Sequence, residues 1–193
     1  MLFRSSTQEA LQLAFETQRA AYAREPLPSL AVRKDRLKRL IAMTRQHEQA
    51  LCEAITEDFG HRAHQETLLA EVFTTITGAE HAIQHLRGWM RTRRMPTALH
   101  FMPGRNALMP QPLGVVGIIS PWNYPYYLTT GPAIAALAAG NRVMIKPSEL
   151  TPATSALLAR MVSEHFSAEE MTVLTGDAEL ARAFSRSEEH TSE

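Results

Sequence analysis

Thiol chemistry is nearly missing from this chain: one cysteine, Cys52, among 193 residues excludes an internal disulfide framework and fits a reducing compartment. Net charge is missing as well, since Lys plus Arg number 20 and Asp plus Glu number 20. That balance offers no electrostatic footprint for nucleic acid or for an anionic membrane, so neither is expected as a partner. Long apolar runs are also lacking. The longest, Pro132 to Ala139, falls far below the roughly 20 residues that a membrane helix needs. The opening MLFRSSTQEALQLAFE has no basic region followed by an apolar core and a small-residue cleavage site, so no signal peptide is read there. The expected location is the cytoplasm.

What is present changes character near residue 95. Before it the apolar spacing is helical. Leu11, Phe15 and Tyr22 mark a polar, loosely held first helix, which Pro26 and Pro28 break. Ser29 is placed to cap a helix over residues 30–46, with Leu30, Val32, Leu37, Leu40 and Ile41 inward and Arg and Lys outward. Glu48 to Phe59 stops at Gly60, and Thr67 to Met90 carries a long apolar stripe that Pro96 closes. Residues 1–96 therefore read as an antiparallel helical layer.

From residue 97 the period shortens. Leu99 to Met102 and Ala107 to Met109 flank a Pro-Gly-Arg-Asn turn, which predicts a β-hairpin arm within residues 97–112. Residues 113–185 then alternate. Val115 to Ile119 is a buried strand, Pro125 to Ala139 a helix, and Arg142 to Ile145 a second strand. Pro152 to Phe166 is a second helix and Met171 to Leu174 a third strand, with a last helix starting after Asp177. Strand–helix alternation implies a parallel sheet with right-handed crossovers. The expected fold is α/β: a helical layer, a β-hairpin arm and an incomplete doubly wound sheet, half of a Rossmann-like domain. The octet Arg186–Glu193 (RSEEHTSE) breaks with what precedes it and reads as a translated sequencing adapter, a non-native tail.

Two strand ends carry the chemistry. In GVVGIISPWNYP, residues 114–125, a β-branched strand runs into a loop that holds Trp122 and Asn123 between Pro121 and Pro125. The Asn123 amide has two donors that a rigid loop can aim at a developing oxyanion, although its own neighbourhood favours a helix cap. The second strand ends in Lys146-Pro147-Ser148-Glu149. A carboxylate and a lysine at such a place suit the hydroxyls of a ribose, but taken alone these residues read better as a solvated turn. The first strand-to-helix turn has no G-x-G-x-x-G, so the ordinary dinucleotide fingerprint is excluded.

The run QPLGVVGIISPWNYP, followed by AAGNRVMIKPSELTP, resembles the N-terminal part of the aldehyde dehydrogenase superfamily. DFGHRAHQETLLAE and VLTGDAELARAFS resemble its coniferyl aldehyde dehydrogenase subgroup, in the class-3-like branch, so that the resemblance covers about residues 30 to 185. It implies that Asn123 stabilises the oxyanion and that Ile119, Ser120, Pro121 and Trp122 line the cofactor cleft beside it. It implies further that Lys146 and Glu149 hold the adenosine ribose, with Ser148 between them. A glutamate there repels a 2′-phosphate, so NAD is expected rather than NADP. The implied reaction is oxidation of an aldehyde, of aromatic, coniferyl-aldehyde type, to its acid by a full-length homodimer joined through the arm. The cysteine nucleophile and the general-base glutamate of that family match nothing in these residues, and the chain alone is expected to be inactive. Two alternatives remain: a non-catalytic cofactor-binding or assembly module, and an acyl-phosphate reductase of the same superfamily.

Other reactive side chains read as structural. Cys52 shares an apolar helix face with Leu51, Ile55 and Phe59, which suits a buried hydrophobe better than a thiolate. The pairs His81/His85 and His61/His64 lack a third ligand at metal-binding spacing, so no metal is expected. Arg91, Arg93 and Arg94 read as the solvated end of a helix.

Overall fold

Helix boundaries follow local chemistry. In this structure, a computed structural model, residues 2–186 are described, with side chains from residue 8 onward; most of the terminal octet lies outside the described residues. Helix α1 (Leu2–Arg24) ends before the two prolines. The Ser29 hydroxyl accepts the Val32 N–H at 3.3 Å and so caps α2 (Leu30–Gln46). Helix α3 (Glu48–Phe59) stops at Gly60, whose φ of 75° is left-handed. A helical rod follows: α4 (His64–Thr67), a π-helical segment (Leu68–Phe73) and α5 (Thr74–Trp89). It closes at Met90, ahead of Pro96, because the chain must turn there into a strand.

That strand corrects the predicted hairpin. β1 (Arg93–Met95) pairs antiparallel with β2 (Asn106–Leu108), whereas Leu99–Phe101 forms one 3-10 turn. The pairing is anchored where Asn106 donates its backbone N–H to Thr97 Oγ1 (3.2 Å) and its side-chain amide to the Pro96 carbonyl (3.3 Å). Leu99, Phe101 and Met102 look like strand residues in composition but stand exposed at the tip of the arm. Arg93 and Arg94 accordingly belong to a strand and not to a helix end, and they are exposed.

The sheet is parallel, in the order β3 (Val115–Ile119), β4 (Arg142–Lys146), β5 (Met171–Val173), with Ile119 opposite Lys146. Crossovers run through α6 (Tyr127–Ala139) and α7 (Pro152–His165), and α8 (Ala178–Arg186) follows β5. On β4, Val143 and Ile145 face a core built with Leu37, Leu51, Leu137 and Leu158, while Met144 faces Leu11, Leu180 and Phe184. Both faces are therefore covered, as a doubly wound α/β protein requires. Central β4 is buried throughout, but β3 is an edge strand here and exposes Gly117 and Ile119.

Two further expectations change. Helix α1 is not loosely held in the helical layer, because it packs on the sheet face shared with α8. Its fully buried Gln18 donates to the carbonyls of Val143 (2.9 Å) and Ala168 (3.1 Å). The basic residues of α2 do not all face solvent either. Arg33 and Arg36 are buried because each finds oxygen partners inside, which is the condition for burying a guanidinium. Arg33 donates to the carbonyls of Pro28 (2.9 Å), Ala138 (3.2 Å) and Ala139 (2.7 Å). It fills the space beside Gly140, where φ is +93° and a Cβ would come within 2.7 Å of the guanidinium carbon. Only glycine fits there.

Arg36 and Arg39 converge on Glu170. Arg39 binds both carboxylate oxygens at 2.8 Å, and Arg36 Nε reaches Oε1 at 3.0 Å. Burial pushes the Glu170 carboxyl up, but hydrogen bonds and charge from Arg39, then Arg36, outweigh it and hold the group at about 2. A depressed carboxyl contributes stability that is present above its unfolded value of 4.5 and is lost as pH falls toward about 2. Glu170→Gln should therefore lower stability by about 2 kcal/mol at neutral pH and flatten the acid limb between those values. Urea denaturation of both proteins across that range checks it, and parallel acid limbs would refute it.

Candidate functional site

The site lies at the carboxyl ends of β3 and β4, where an open parallel sheet presents its ligand-binding crevice. The strand ends are joined directly: Ser120 donates its backbone N–H to the Lys146 carbonyl at 3.1 Å. The Ser120 hydroxyl is buried and has no hydrogen-bond partner among the described residues. Beyond it Ile119 and Trp122 stand about half exposed, presenting an apolar face beside that hydroxyl.

Lys146 is not part of a solvated turn. Its side chain is only 2% exposed, and its ammonium meets Glu149 Oε2 at 2.5 Å. Glu149 keeps its carboxylate in solvent, and the hydrogen bond from Lys146 holds that carboxyl below the ordinary range. A buried ammonium thus presents an exposed carboxylate at the end of the central strand. Ser148 is used differently. Its hydroxyl accepts the Leu150 N–H at 3.2 Å and its carbonyl accepts from Ser155 Oγ at 2.9 Å, so it shapes the turn.

Asn123 does not cap the following helix. Helix α6 begins at Tyr127, and the acceptor at its N-terminus is Glu71 from the π-helical segment: Oε2 takes the Tyr126 N–H at 2.7 Å and the Tyr127 N–H at 3.1 Å. Glu71 is fully buried, and Arg62 Nη1 reaches its other oxygen at 3.3 Å. Burial pushes the Glu71 carboxyl up, against the pull of the two N–H groups and of Arg62. Arg62 then spends its second nitrogen on the Asn123 backbone carbonyl, at 2.9 Å. Its guanidinium lies 4.0 Å over the Phe59 ring and 4.8 Å over Tyr124, and Phe59 also packs beside Trp122. The backbone of the Pro121–Pro125 loop is clamped from the helical layer while the Asn123 amide, which takes no part in these bonds, faces solvent.

Glu71 and Arg62 fall within the run DFGHRAHQETLLAE, but their role at the site was not legible there, because their partners lie some 55 to 61 positions away. Asp58 acts in the same way on α7, accepting the Ala153 N–H (2.9 Å), the Thr154 N–H (2.8 Å) and the Thr154 hydroxyl (2.6 Å). Cys52 is buried as its pattern predicts, with burial first and neighbouring glutamates next pushing its thiol up. His81 and His85 stack with Trp89 on the exposed surface of α5, and the His64 carbonyl faces Cys52 Sγ.

A doubly wound α/β chain with polar groups at two adjoining strand ends defines a class of architecture that receives ligands at the carboxyl ends of its strands. Within that class, this chain belongs to the aldehyde dehydrogenase family, whose sequence profile matches residues 2–191. It is 44% identical over 176 residues to a probable coniferyl aldehyde dehydrogenase of Pseudomonas aeruginosa, covering 91% of this chain and 37% of that protein. It is 40% identical to the coniferyl aldehyde dehydrogenase of Pseudomonas sp. strain HR199, covering 92% and 36%. Among solved structures, substrate-bound AldH of Staphylococcus aureus superposes with a TM-score of 0.84 at 31% identity, over 89% of this chain and 37% of that one. The chain spans just over a third of the length of the curated relatives it matches. Among the described residues no helix is long and apolar enough to cross a membrane.

Glu71→Ala should leave two buried N–H groups and one guanidinium without their acceptor, at a cost of roughly 3 kcal/mol. Glu71→Gln, which keeps one acceptor oxygen, should cost about half as much. Urea midpoints measure both. Equal stabilities for the two variants and the parent would show that Glu71 does not hold the loop.

Proposed function

We propose that this chain is the N-terminal part of an NAD-dependent aldehyde dehydrogenase that oxidises an aldehyde, of aromatic coniferyl-aldehyde type, to its carboxylic acid. The observation that carries the reading is the Asn123 loop: backbone held by Arg62, amide uncommitted. In the proposed reaction the Asn123 Nδ2–H donates to the aldehyde oxygen as negative charge develops on it. A donor fixed in advance does this without reorganisation, which is why such groups are worth much in rate.

The cofactor would lie across the ends of β3 and β4. The fit is supported by the orphaned Ser120 hydroxyl, which wants a polar partner, and by the Lys146–Glu149 pair. Glu149 would accept from the ribose hydroxyls and Lys146 would donate to them, with Ile119, Pro121 and Trp122 forming the apolar wall. When bound, the nicotinamide group supplies the hydride acceptor. A carboxylate at the ribose disfavours a 2′-phosphate, which supports NAD over NADP. The identities to coniferyl aldehyde dehydrogenases support the aromatic substrate.

Cys52, buried and with its thiol pushed up, is no substitute for a reactive nucleophile, so the 193 residues by themselves should not oxidise aldehydes. The same observation favours the second reading, a non-catalytic module, for the chain in isolation. Exposed Leu99, Phe101, Met102 and Leu113 on and beside the hairpin arm support a homodimer of the full-length protein. The scarcity of cysteine, with the one residue buried, supports a cytoplasmic location.

In the full-length protein Asn123→Ala should lower kcat by about 10²–10³ while leaving cofactor affinity near normal. Near-normal turnover by that variant would defeat the assignment. Glu149→Ser should shift the NAD-to-NADP ratio of kcat/KM toward NADP by at least about tenfold. An unchanged ratio would remove Glu149 from the ribose site.

A further inference from the structure

Away from the sheet crevice, three ligand-type side chains converge where the α2–α3 elbow meets the end of α7. His47 is the residue between α2 and α3, and Glu164 and His165 are the last two residues of α7. One ligand atom from each lies within 4.8 Å of the other two. We propose that His47, Glu164 and His165 form a binding site for a divalent ion of the zinc class, tying the elbow to α7.

The donor chemistry and the geometry agree. His47 Nε2 lies 3.1 Å from Glu164 Oε2, yet this nitrogen is buried and makes no hydrogen bond among the described residues. A separation of about 3.3 Å is what two ligands on one tetrahedral zinc ion show, given bonds of roughly 2.0–2.2 Å. The pair is close enough for a hydrogen bond but not aligned for one, whereas an ion off the line between the two atoms can meet both lone pairs. His165 is prepared for the same role. Its Nδ1 faces the Met161 carbonyl at 2.9 Å and must donate to it, which sets the tautomer and leaves the Nε2 lone pair available. Besides His47 and Glu164, the Gln46 amide lies near that lone pair and in this orientation turns its oxygen to it at 3.2 Å, an acceptor facing an acceptor. That oxygen is suited to the fourth position, as is water. The two imidazoles stand edge to face, their centroids 5.8 Å apart and their planes at 79°, so they approach a common point from different directions.

Competition for Glu164 is weak. Arg160 is 3.9 Å from Oε1, both side chains are exposed, and Oε2 is left to the histidines. Two borderline imidazole donors beside a single hard carboxylate suit zinc and cobalt better than calcium or magnesium, which take oxygen ligands. The site is separate from the Lys146–Glu149 strand end and does not depend on the aldehyde dehydrogenase reading. It sits where Arg39 also binds the His165 carbonyl, at 2.9 Å, so an ion there would reinforce an existing contact between the helical layer and α7.

Metal-free full chain titrated with zinc chloride in a calorimeter tests the proposal, together with cobalt(II) titration followed by visible absorption. The expected result is one ion per chain, with the intense ligand-field bands of tetrahedral cobalt and a zinc-dependent rise in Tm of several degrees. His47→Ala and His165→Ala should each weaken binding at least about tenfold. Glu164→Gln sits on an exposed side chain, keeps the fold, and should lose both the affinity and the Tm shift. Replacing both His81 and His85 by alanine should change nothing. The proposal fails if no saturable binding occurs, if Glu164→Gln binds as the parent does, or if binding disappears with the His81–His85 pair.

Discussion

The ends of α6 and α7 impose the constraint on which the rest of this structure depends. Each helix buries its termini against the helical layer, and each terminus carries backbone groups without an intrahelical partner. Charged side chains from the first 71 residues satisfy them. Glu71 and Asp58 accept at the two N-termini, and Arg33 and Arg39 donate at the two C-termini. The signs match the helix dipoles at all four ends. The N-terminal helices are thus more than a cover for the sheet, because the crossovers that position the strand-end loops end in their side chains.

This arrangement explains why so many charges are buried in a chain of zero net charge. Arg33 faces carbonyls, Arg36 and Arg39 share Glu170, and Glu71 is enclosed by two N–H groups and Arg62. Each meets groups of complementary charge or polarity, which is what makes burial of a charge tolerable, although Arg36 leaves its Nη1 unpaired among the described residues. The Lys146–Glu149 pair differs in kind. Its ammonium is buried while its carboxylate projects into solvent at the end of the central strand. The buried Ser120 hydroxyl beside that strand end has no hydrogen-bond partner among the described residues. The open Ser120 hydroxyl and the exposed Glu149 carboxylate lie at adjoining strand ends, next to the loop that carries Asn123.

Much of the fold was legible from local signals. Ser29 before an apolar-periodic run and Gly60 after one marked helix ends correctly, since capping involves neighbours in sequence. The strand–helix alternation after residue 113 gave the parallel sheet for the same reason. The hairpin was misplaced because Leu99, Phe101 and Met102 have strand composition, while the pairing is decided by hydrogen bonds at Thr97 and Asn106. Asn123 looked like a cap because asparagine is a good one, and a carboxylate from another element had already taken that place.

Of the site, the residue types and their order along the chain were determined by the sequence alone: an asparagine between prolines after one strand, a lysine and a glutamate after the next. Those are local facts, carried by periodicity and by short-range turn chemistry. Only the tertiary structure decided which groups are clamped and which are free. Burial of Lys146, the hold of Arg62 on the Asn123 carbonyl and the meeting of His47 with His165 all join residues far apart in the chain. Local sequence cannot encode such contacts one residue at a time, because they exist only once the helical layer has docked onto the sheet.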